Sequence, residues 1–403
     1  MAGLAVDLYG TRIGHLRGPW RTFDFDPDPA GVARFGLDSP ALSLAVPLTL
    51  RARRSGRERR QAWFAGLLPE GPMLQRLAAE AGVPAHDTVA MLRRYGRDIA
   101  GALQIWDPDV PGEPRTPRLL ALTGGGVADL LRQVRDSPLA NVDAAGKTSL
   151  GGVQEKIVLA RVDGRWHRAL DGYPSTHILK SRSATIGDEE YGARIARHLG
   201  LARHETWIEA FDDVDALVIE RFDRDPERIH QEDLSQVLGL VGDQKYQRIG
   251  GRASLARVAA AIRDLSGEPW LWLLRLVTLA TAVGNLDLHT KNLAVLHPLD
   301  SDPVPAPAYD VVPMAHRPSD GELALAVAGE YRQAAVTVQH LVDEAASWGL
   351  GTGEARAVVG ETCERVRDFV RASEPHPLAQ PGLRAAVLGF CEHLLAGRPA
   401  GGS

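Results

Sequence analysis

The stretch 270–283 constrains the fold of this chain more than any other. Trp270, Leu271, Trp272, Leu273, Leu274, Leu276, Val277 and Leu279 make it almost wholly apolar, with Arg275 as the one charge. A bilayer span takes ~20 residues, so this stretch is too short for one and predicts a helix buried in a protein core. Such a helix fixes in space whatever follows it. Here that is Asp287-Leu288-His289-Thr290-Lys291-Asn292, a D-x-H-x-x-N pattern, with Tyr309-Asp310 after a short polar loop. Phosphoryl transfer from ATP needs a carboxylate to orient the acceptor hydroxyl, a carboxamide to hold a metal ion, and a second carboxylate to hold that metal over the phosphates. Asp287, Asn292 and Asp310 fit those roles in that order. The plainer reading, Asp287 and Asn292 capping helix ends around a tight loop, has no use for Asp310.

The other half of an ATP site lies upstream. Ser149-Leu150-Gly151-Gly152-Val153-Gln154-Glu155-Lys156 leads into an alternating apolar run at 157–162 and a turn at Asp163-Gly164. A short strand at 176–180 then ends in Lys180. Glycines beside a strand let backbone N–H groups come close to phosphate oxygens. A strand-borne lysine pairs with the phosphates, and a helical glutamate holds the lysine. Asp188-Glu189-Glu190-Tyr191 opens an amphipathic stretch, with Tyr191, Ile195 and Leu199 at helical spacing and Gly200 as its stop. Glu189 is the expected partner of Lys180, with Glu190 its rival. The run 216–222 reads as a strand whose backbone passes under the adenine ring.

Length and charge set outer bounds. At 403 residues the chain is long enough for two or three lobes. Its net charge of −5 argues against bulk attraction to nucleic acid, and the one dense basic run, 51–60, reads as a solvated hairpin or loop. Cys363 and Cys391 lie in helical-looking stretches, and two thiols cannot build a zinc site unaided, so they read as packing residues. The first residues lack a basic n-region and Asp7 interrupts them. The expectation is a soluble cytoplasmic protein with no membrane partner.

Along the chain, 1–106 reads as a small α/β domain. It has a hairpin turning at Tyr9-Gly10, a short strand at 42–48, a helical run through Met73, Leu74 and Leu77, and a closing strand at 101–106. Four prolines and one glycine mark 107–117 as exposed linker, and a helix at 126–136 completes a linker and bridge over 107–140. A strand-rich lobe with the glycine loop is expected at 141–225. A helical lobe follows at 226–396, with helices near 254–265, 270–283, 334–347, 354–371 and 383–395, then a disordered tail at 397–403. The fold class is α+β, a small N-terminal α/β domain followed by a bilobal protein-kinase-like fold.

These residues resemble the HipA-type serine/threonine kinases, the toxin halves of bacterial toxin–antitoxin pairs. The resemblance spans nearly the whole chain. It rests on Leu68-Pro69-Glu70-Gly71, Gly96-Arg97-Asp98-Ile99-Ala100-Gly101-Ala102, residues 149–156, His177 to Lys180, Glu220-Arg221-Phe222-Asp223-Arg224, His230-Gln231-Glu232-Asp233, Gly284-Asn285-Leu286-Asp287, Lys291-Asn292 and Tyr309-Asp310. It implies a nucleotide loop from Gly151 through Gly152, Val153, Gln154 and Glu155 to Lys156, with Lys180 on the phosphates. It implies an adenine contact from Glu220, Arg221 and Phe222, with Glu220 and Phe222 offering backbone hydrogen bonds. Asp287 is the implied catalytic base, His289, Thr290, Lys291 and Asn292 line the site, and Asn292 with Asp310 holds magnesium. Ser149 matches the family's autophosphorylated serine, with Thr148 beside it as the other hydroxyl. ATP and Mg2+ are the implied cofactors. The implied partners are a HipB-like helix-turn-helix antitoxin, through which DNA is reached indirectly, and an aminoacyl-tRNA synthetase as substrate.

Ordinary protein-kinase signatures are missing: there is no G-x-G-x-x-G loop, no H-R-D, and Val311-Val312 follows Asp310. Two competing functions are weighed. D-x-H-x-x-N also resembles the catalytic loop of aminoglycoside and choline phosphotransferases, although the N-terminal domain and Ser149 argue against a small-molecule substrate. A pure co-repressor bound to a DNA-binding antitoxin has no need of the intact set Lys180, Asp287, Asn292 and Asp310.

Overall fold

The computed structural model describes residues 3–135, 137–141, 146–152, 154–181 and 183–402. The chain packs as two compact units. One comprises Met1–Arg182, Glu209–Glu232 and Leu296–Pro303, the other Ser183–Ile208, Asp233–Val295 and Val304–Ser403.

In the first unit, β1 (Leu4–Leu8), β2 (Thr11–Arg17), β3 (Asp24–Pro27) and β4 (Leu103–Trp106) form an antiparallel sheet in the order β3-β2-β1-β4. The β1–β2 hairpin turns at Tyr9 and Gly10, both at positive φ, the backbone that matches the natural strand twist. Helices Arg57–Ala65, Gly71–Ala81 and Thr88–Tyr95 supply Trp63, Phe64, Leu77, Leu92 and Tyr95 to its core. A second sheet holds β5 (Arg118–Ala121), β6 (Ile157–Val162), β7 (Arg165–Leu170), β8 (His177–Lys180) and β9 (Val214–Glu220), in the order β5-β7-β6-β8-β9. Leu150 and Val158 belong to the same apolar cluster as Trp63 and Leu92, so one core runs beneath both sheets.

The expectations for 51–60 and 42–48 fail in this unit: from Arg57 the basic run belongs to helix Arg57–Ala65, not to a hairpin or loop. The run 42–48 is not a strand, apart from a single bridge between Ser39 and Leu48. Its polar groups are taken by side chains instead of a ladder: Leu44 N–H and Ser43 Oγ bond Glu232, at 2.7 and 2.5 Å, and the Leu42 carbonyl meets His230 Nε2 at 2.7 Å. Just after the stretch 107–117 comes β5, which had no counterpart in the sequence reading and pairs with β7 from Arg118 opposite Leu170 to Ala121 opposite His167.

The second unit is mainly helical. Pro269–Val283 is its central helix, started by proline, ended by Gly284 at φ 69, and buried at nearly every position from Leu273 onward. It packs against Thr352–Ala372 and Leu383–Leu395. Cys363 and Cys391 are buried and free, and burial pushes the Cys363 thiol up to about 12. The tail corrects another expectation. Ala400 is fully buried, its N–H bonds the Val336 carbonyl at 2.9 Å, and Gly401 N–H bonds the Ala334 carbonyl at 2.8 Å, which ties these two residues of the expected tail down. A hairpin of Glu322–Val327 and Glu330–Arg332 had no counterpart in the sequence reading. Among the described residues no helix is long and apolar enough to cross a membrane.

Candidate active site

In the second unit the polar motif leaves the central helix as a loop closed on itself. Asn285 Oδ1 accepts Asp287 N–H at 3.0 Å, and Asn292 Nδ2 donates to the Asp287 carbonyl at 2.9 Å. That bond uses the Asn292 amide nitrogen and not its Oδ1. Neighbours brace the loop: Lys291 Nζ meets Asp233 Oδ2 at 3.0 Å, Thr290 Oγ1 meets Ser235 Oγ at 2.7 Å, and Tyr309 Oη donates to the Lys291 carbonyl at 2.6 Å. Asp233 also caps helix Leu234–Leu238 reciprocally with Gln236. Thr290 and Lys291, expected to line the nucleotide, therefore have their polar ends engaged as braces.

Asp287 is half-buried. Burial and the nearby Asp310 charge push its carboxyl up to about 6, against the pull of the Tyr246 hydroxyl and the Lys245 ammonium. Asp310 has a left-handed backbone, φ 55, which asparagine and aspartate tolerate better than other non-glycine residues. A hard divalent cation held by Asp310 and the Asn292 carboxamide oxygen would relieve the repulsion between the two carboxylates. Among the described residues no cluster of three or more His, Cys, Asp or Glu makes a protein-only metal cage. Burial and Lys245 push His289 down to about 3, so its imidazole is neutral and poorly suited to serve as a base.

Glu189 is buried on helix Ile186–His198 of this unit, and Glu190 faces Arg194 at 3.6 Å. The same helix touches the segment just after Asp310. A Cβ on Gly192 would lie 1.9 Å from the Val311 carbonyl oxygen, so only glycine allows this approach.

The first unit carries the other group of candidates. Lys180 is buried at the end of β8, opposite Leu217 of β9, and Glu220 lies opposite His177 in the same pairing. In the glycine loop Lys156 Nζ bonds the Gly151 carbonyl at 2.6 Å. Gly152, at φ +101, leaves the space that this amine occupies, since an added Cβ would meet it at 2.8 Å. Val153 lies outside the described residues, and Gln154 and Phe222 are half-buried. Glu155 is turned toward Arg76 and Arg135, at 3.1 and 3.2 Å. Ser149 is fully buried, its N–H on the Asp98 carbonyl at 3.0 Å, and Thr148 Oγ1 lies 3.4 Å from Asp98 Oδ2.

Arg221, next to Glu220, is engaged through its side chain. Its guanidinium bonds Asp223 Oδ1 at 2.9 Å, Ser175 Oγ at 2.8 Å and the Ile99 carbonyl at 3.0 Å, which makes its side chain the centre of a buried ion cluster. Burial would raise Asp223, but Arg221 and Arg224 outweigh it and hold that carboxyl well below its usual range.

Sequence reasoning passed over Lys245 and Tyr246, which act on Asp287. A usable signal was present, because the chain has only five lysines, Lys147, Lys156, Lys180, Lys245 and Lys291, against a large number of arginines. Lys156, Lys180 and Lys245 are buried, and the side chains of Lys147 and Lys291 are 12% and 9% exposed. The exposed cations are arginines, so a lysine marks an internal task.

A glycine loop with a strand-borne lysine lies in one unit and a carboxylate–carboxamide–carboxylate set in the other, residue types that phosphoryl transfer calls for. The chain matches the HipA N-terminal domain over residues 4–106 and the HipA-like C-terminal domain over residues 148–370. It is 32% identical over 296 residues to the kinase-like protein Y4mE of Sinorhizobium fredii, covering 68% of this chain and 69% of that one. It is 28% identical over 296 residues to the serine/threonine-protein kinase toxin HipA of Shewanella oneidensis, covering 67% and 66%. The structure of Shewanella oneidensis HipA solved with HipB and operator DNA superimposes with a TM-score of 0.80 at 23% identity, over 98% of this chain and 97% of that one. The chain belongs to the HipA family of kinases.

Proposed function

We propose that this chain is a cytoplasmic serine/threonine protein kinase that uses Mg-ATP and acts as the toxin of a toxin–antitoxin pair. The observation that carries the reading is the braced loop that holds Asp287 and Asn292 together, with Asp310 close enough to raise the Asp287 carboxyl. Bound Mg-ATP would supply the phosphoryl group, with Asn292 Oδ1 and Asp310 holding the cation. Lys180, Lys156 and the loop at Gly151-Gly152 would hold phosphates, Glu189 would pair with Lys180, and Glu220 and Phe222 would meet adenine through their backbone. Asp287 would orient the acceptor hydroxyl and take its proton, so that catalysis is largely positioning and charge neutralisation.

Ser149 is the proposed site of self-phosphorylation. The relative from Shewanella oneidensis was solved with HipB and operator DNA, which supports a HipB-like antitoxin as partner, with DNA reached through it. An aminoacyl-tRNA synthetase is the proposed substrate, on family resemblance alone.

The test is incubation with γ-labelled ATP and magnesium, beside Asp287→Asn and Ser149→Ala. Label on the wild type and on neither variant is expected. Label lost only in Asp287→Asn moves the phosphosite, with Thr148 next. No label on the wild type, and no transfer to a synthetase, sinks the reading.

A further inference from the structure

We propose that Tyr246 is a positioning residue that holds Asp287 in the orientation phosphoryl transfer requires, with Lys245 and His289 steadying its ring. The proposal rests on the reading of Asp287 as the base. The backbone of Asp287 is fixed by Asn285 Oδ1 and Asn292 Nδ2, but neither reaches its carboxylate. A carboxylate on a loop is otherwise free to rotate about two torsions. Among the described residues, the group within hydrogen-bond distance of it is Tyr246 Oη, which donates to Oδ1 across 3.1 Å. His289 Nε2 stands 3.9 Å from Oδ2, beyond a hydrogen bond.

Tyr246 is itself well anchored. The next residue, Gln247, is pinned to strand Glu322–Val327 twice, by its N–H on the Ala324 carbonyl at 3.0 Å and by its Oε1 on Ala326 N–H at 2.9 Å. The Tyr246 ring meets the edge of His289 with centroids 5.2 Å apart at 77°, and Lys245 Nζ lies 5.3 Å from its centroid. A side chain gripped this way presents its hydroxyl at one place, as a supporting shell must.

With Oδ1 engaged, Oδ2 is the oxygen left for the acceptor. In the transfer step the hydroxyl proton passes to Asp287 Oδ2 as the hydroxyl oxygen bonds the γ-phosphorus. The bond from that phosphorus to the bridging oxygen breaks, and ADP leaves with its electron pair.

The experiment compares full-length wild type, Tyr246→Phe and Lys245→Met. It measures the maximal rate of label transfer from Mg-ATP, the ATP concentration at half-maximal rate, and the thermal midpoint. Tyr246→Phe is expected to lower the maximal rate about tenfold or more, with half-saturating ATP within about twofold and the midpoint unchanged. Lys245→Met is expected to lower the rate in the same way but less. A Tyr246→Phe rate within about twofold of wild type overturns the proposal, as does a loss that tracks a fall in the midpoint. If the wild type transfers no label, the kinase reading fails separately. Crystal structures of wild type and Tyr246→Phe then decide the positioning claim: a second or split orientation of Asp287 in the variant sustains it, and one unchanged orientation overturns it.

Discussion

Ser149 donates its hydroxyl to the Leu67 carbonyl across 3.1 Å, and neither residue is more than marginally exposed. The backbone N–H of Ser149 is tied as well, to the Asp98 carbonyl. Phosphate on Ser149 would bring nearly two negative charges to a fully buried position. Ser149→Ala should cost about 1 kcal/mol, the net worth of one hydrogen bond. Ser149→Asp should either lose several kcal/mol or drive the residues 147–151 out of their seat. Limited proteolysis with mass mapping distinguishes these, and a Ser149→Asp protein cut like wild type and equally stable would refute the argument.

Asp98 is the acidic centre of a buried cluster. Arg228 Nη1 lies 2.9 Å and Arg224 Nη2 3.1 Å from its Oδ1, and Arg221 Nη1 lies 4.0 Å from its Oδ2. Neutralising one member strands the others in a low-dielectric interior. Asp98→Asn should therefore destabilise by about 3–5 kcal/mol in urea unfolding. Adding Arg228→Met should recover part of that loss, and strict additivity of the two changes would show that they are not coupled.

Two histidines of the first unit make its stability depend on pH. Burial pushes His177 and His230 each down to about 4. Unfolded, each titrates near its ordinary value, so between about pH 6.5 and pH 4 the unfolded chain binds more protons. The stabilising contribution of the neutral rings is complete above that window and shrinks as pH falls through it, by at most about 1.4 kcal/mol per pH unit for each ring. The melting temperature should drop between pH 7 and pH 5, and His230→Gln should flatten that drop. An equal drop in the variant would remove His230 from the explanation.

The lysines allow a chemical test. All five side chains are buried or nearly so, and Lys147 is paired with Glu113. A water-soluble amine-acetylating reagent should therefore modify these lysines slowly in the folded protein, and unfolding in urea should expose all five. Peptide mass spectrometry reads this directly. Rapid acetylation of Lys245 or Lys291 in the folded state would contradict the packing described.

Much of the fold was legible because its signals are local. The helix Pro269–Val283 needs only an apolar run between a proline and a glycine, and the hairpin at Tyr9-Gly10 only a turn pair between alternating residues. The helix expected at 334–347 begins instead at Val338, because Thr337 and His340 form a capping box there. The run 42–48 misled because β-type patterning says nothing about Glu232, which lies 188 residues from Leu44 and takes its N–H. The tail misled in the same way, since glycine-rich composition carries no information about the carbonyls of Ala334 and Val336.

By itself the sequence singled out Asp287 and Asn292 as candidates for phosphoryl transfer, because their spacing sits within one loop. Tertiary structure alone decided how those groups are held and charged. Tyr246 reaches Asp287 from 41 positions away, Arg221 turns inward to Asp98 and Asp223, and Asp310 raises the Asp287 carboxyl through space. Hydrogen bonds and Coulomb forces act over distance in space, which chain spacing does not encode once the backbone has folded back on itself.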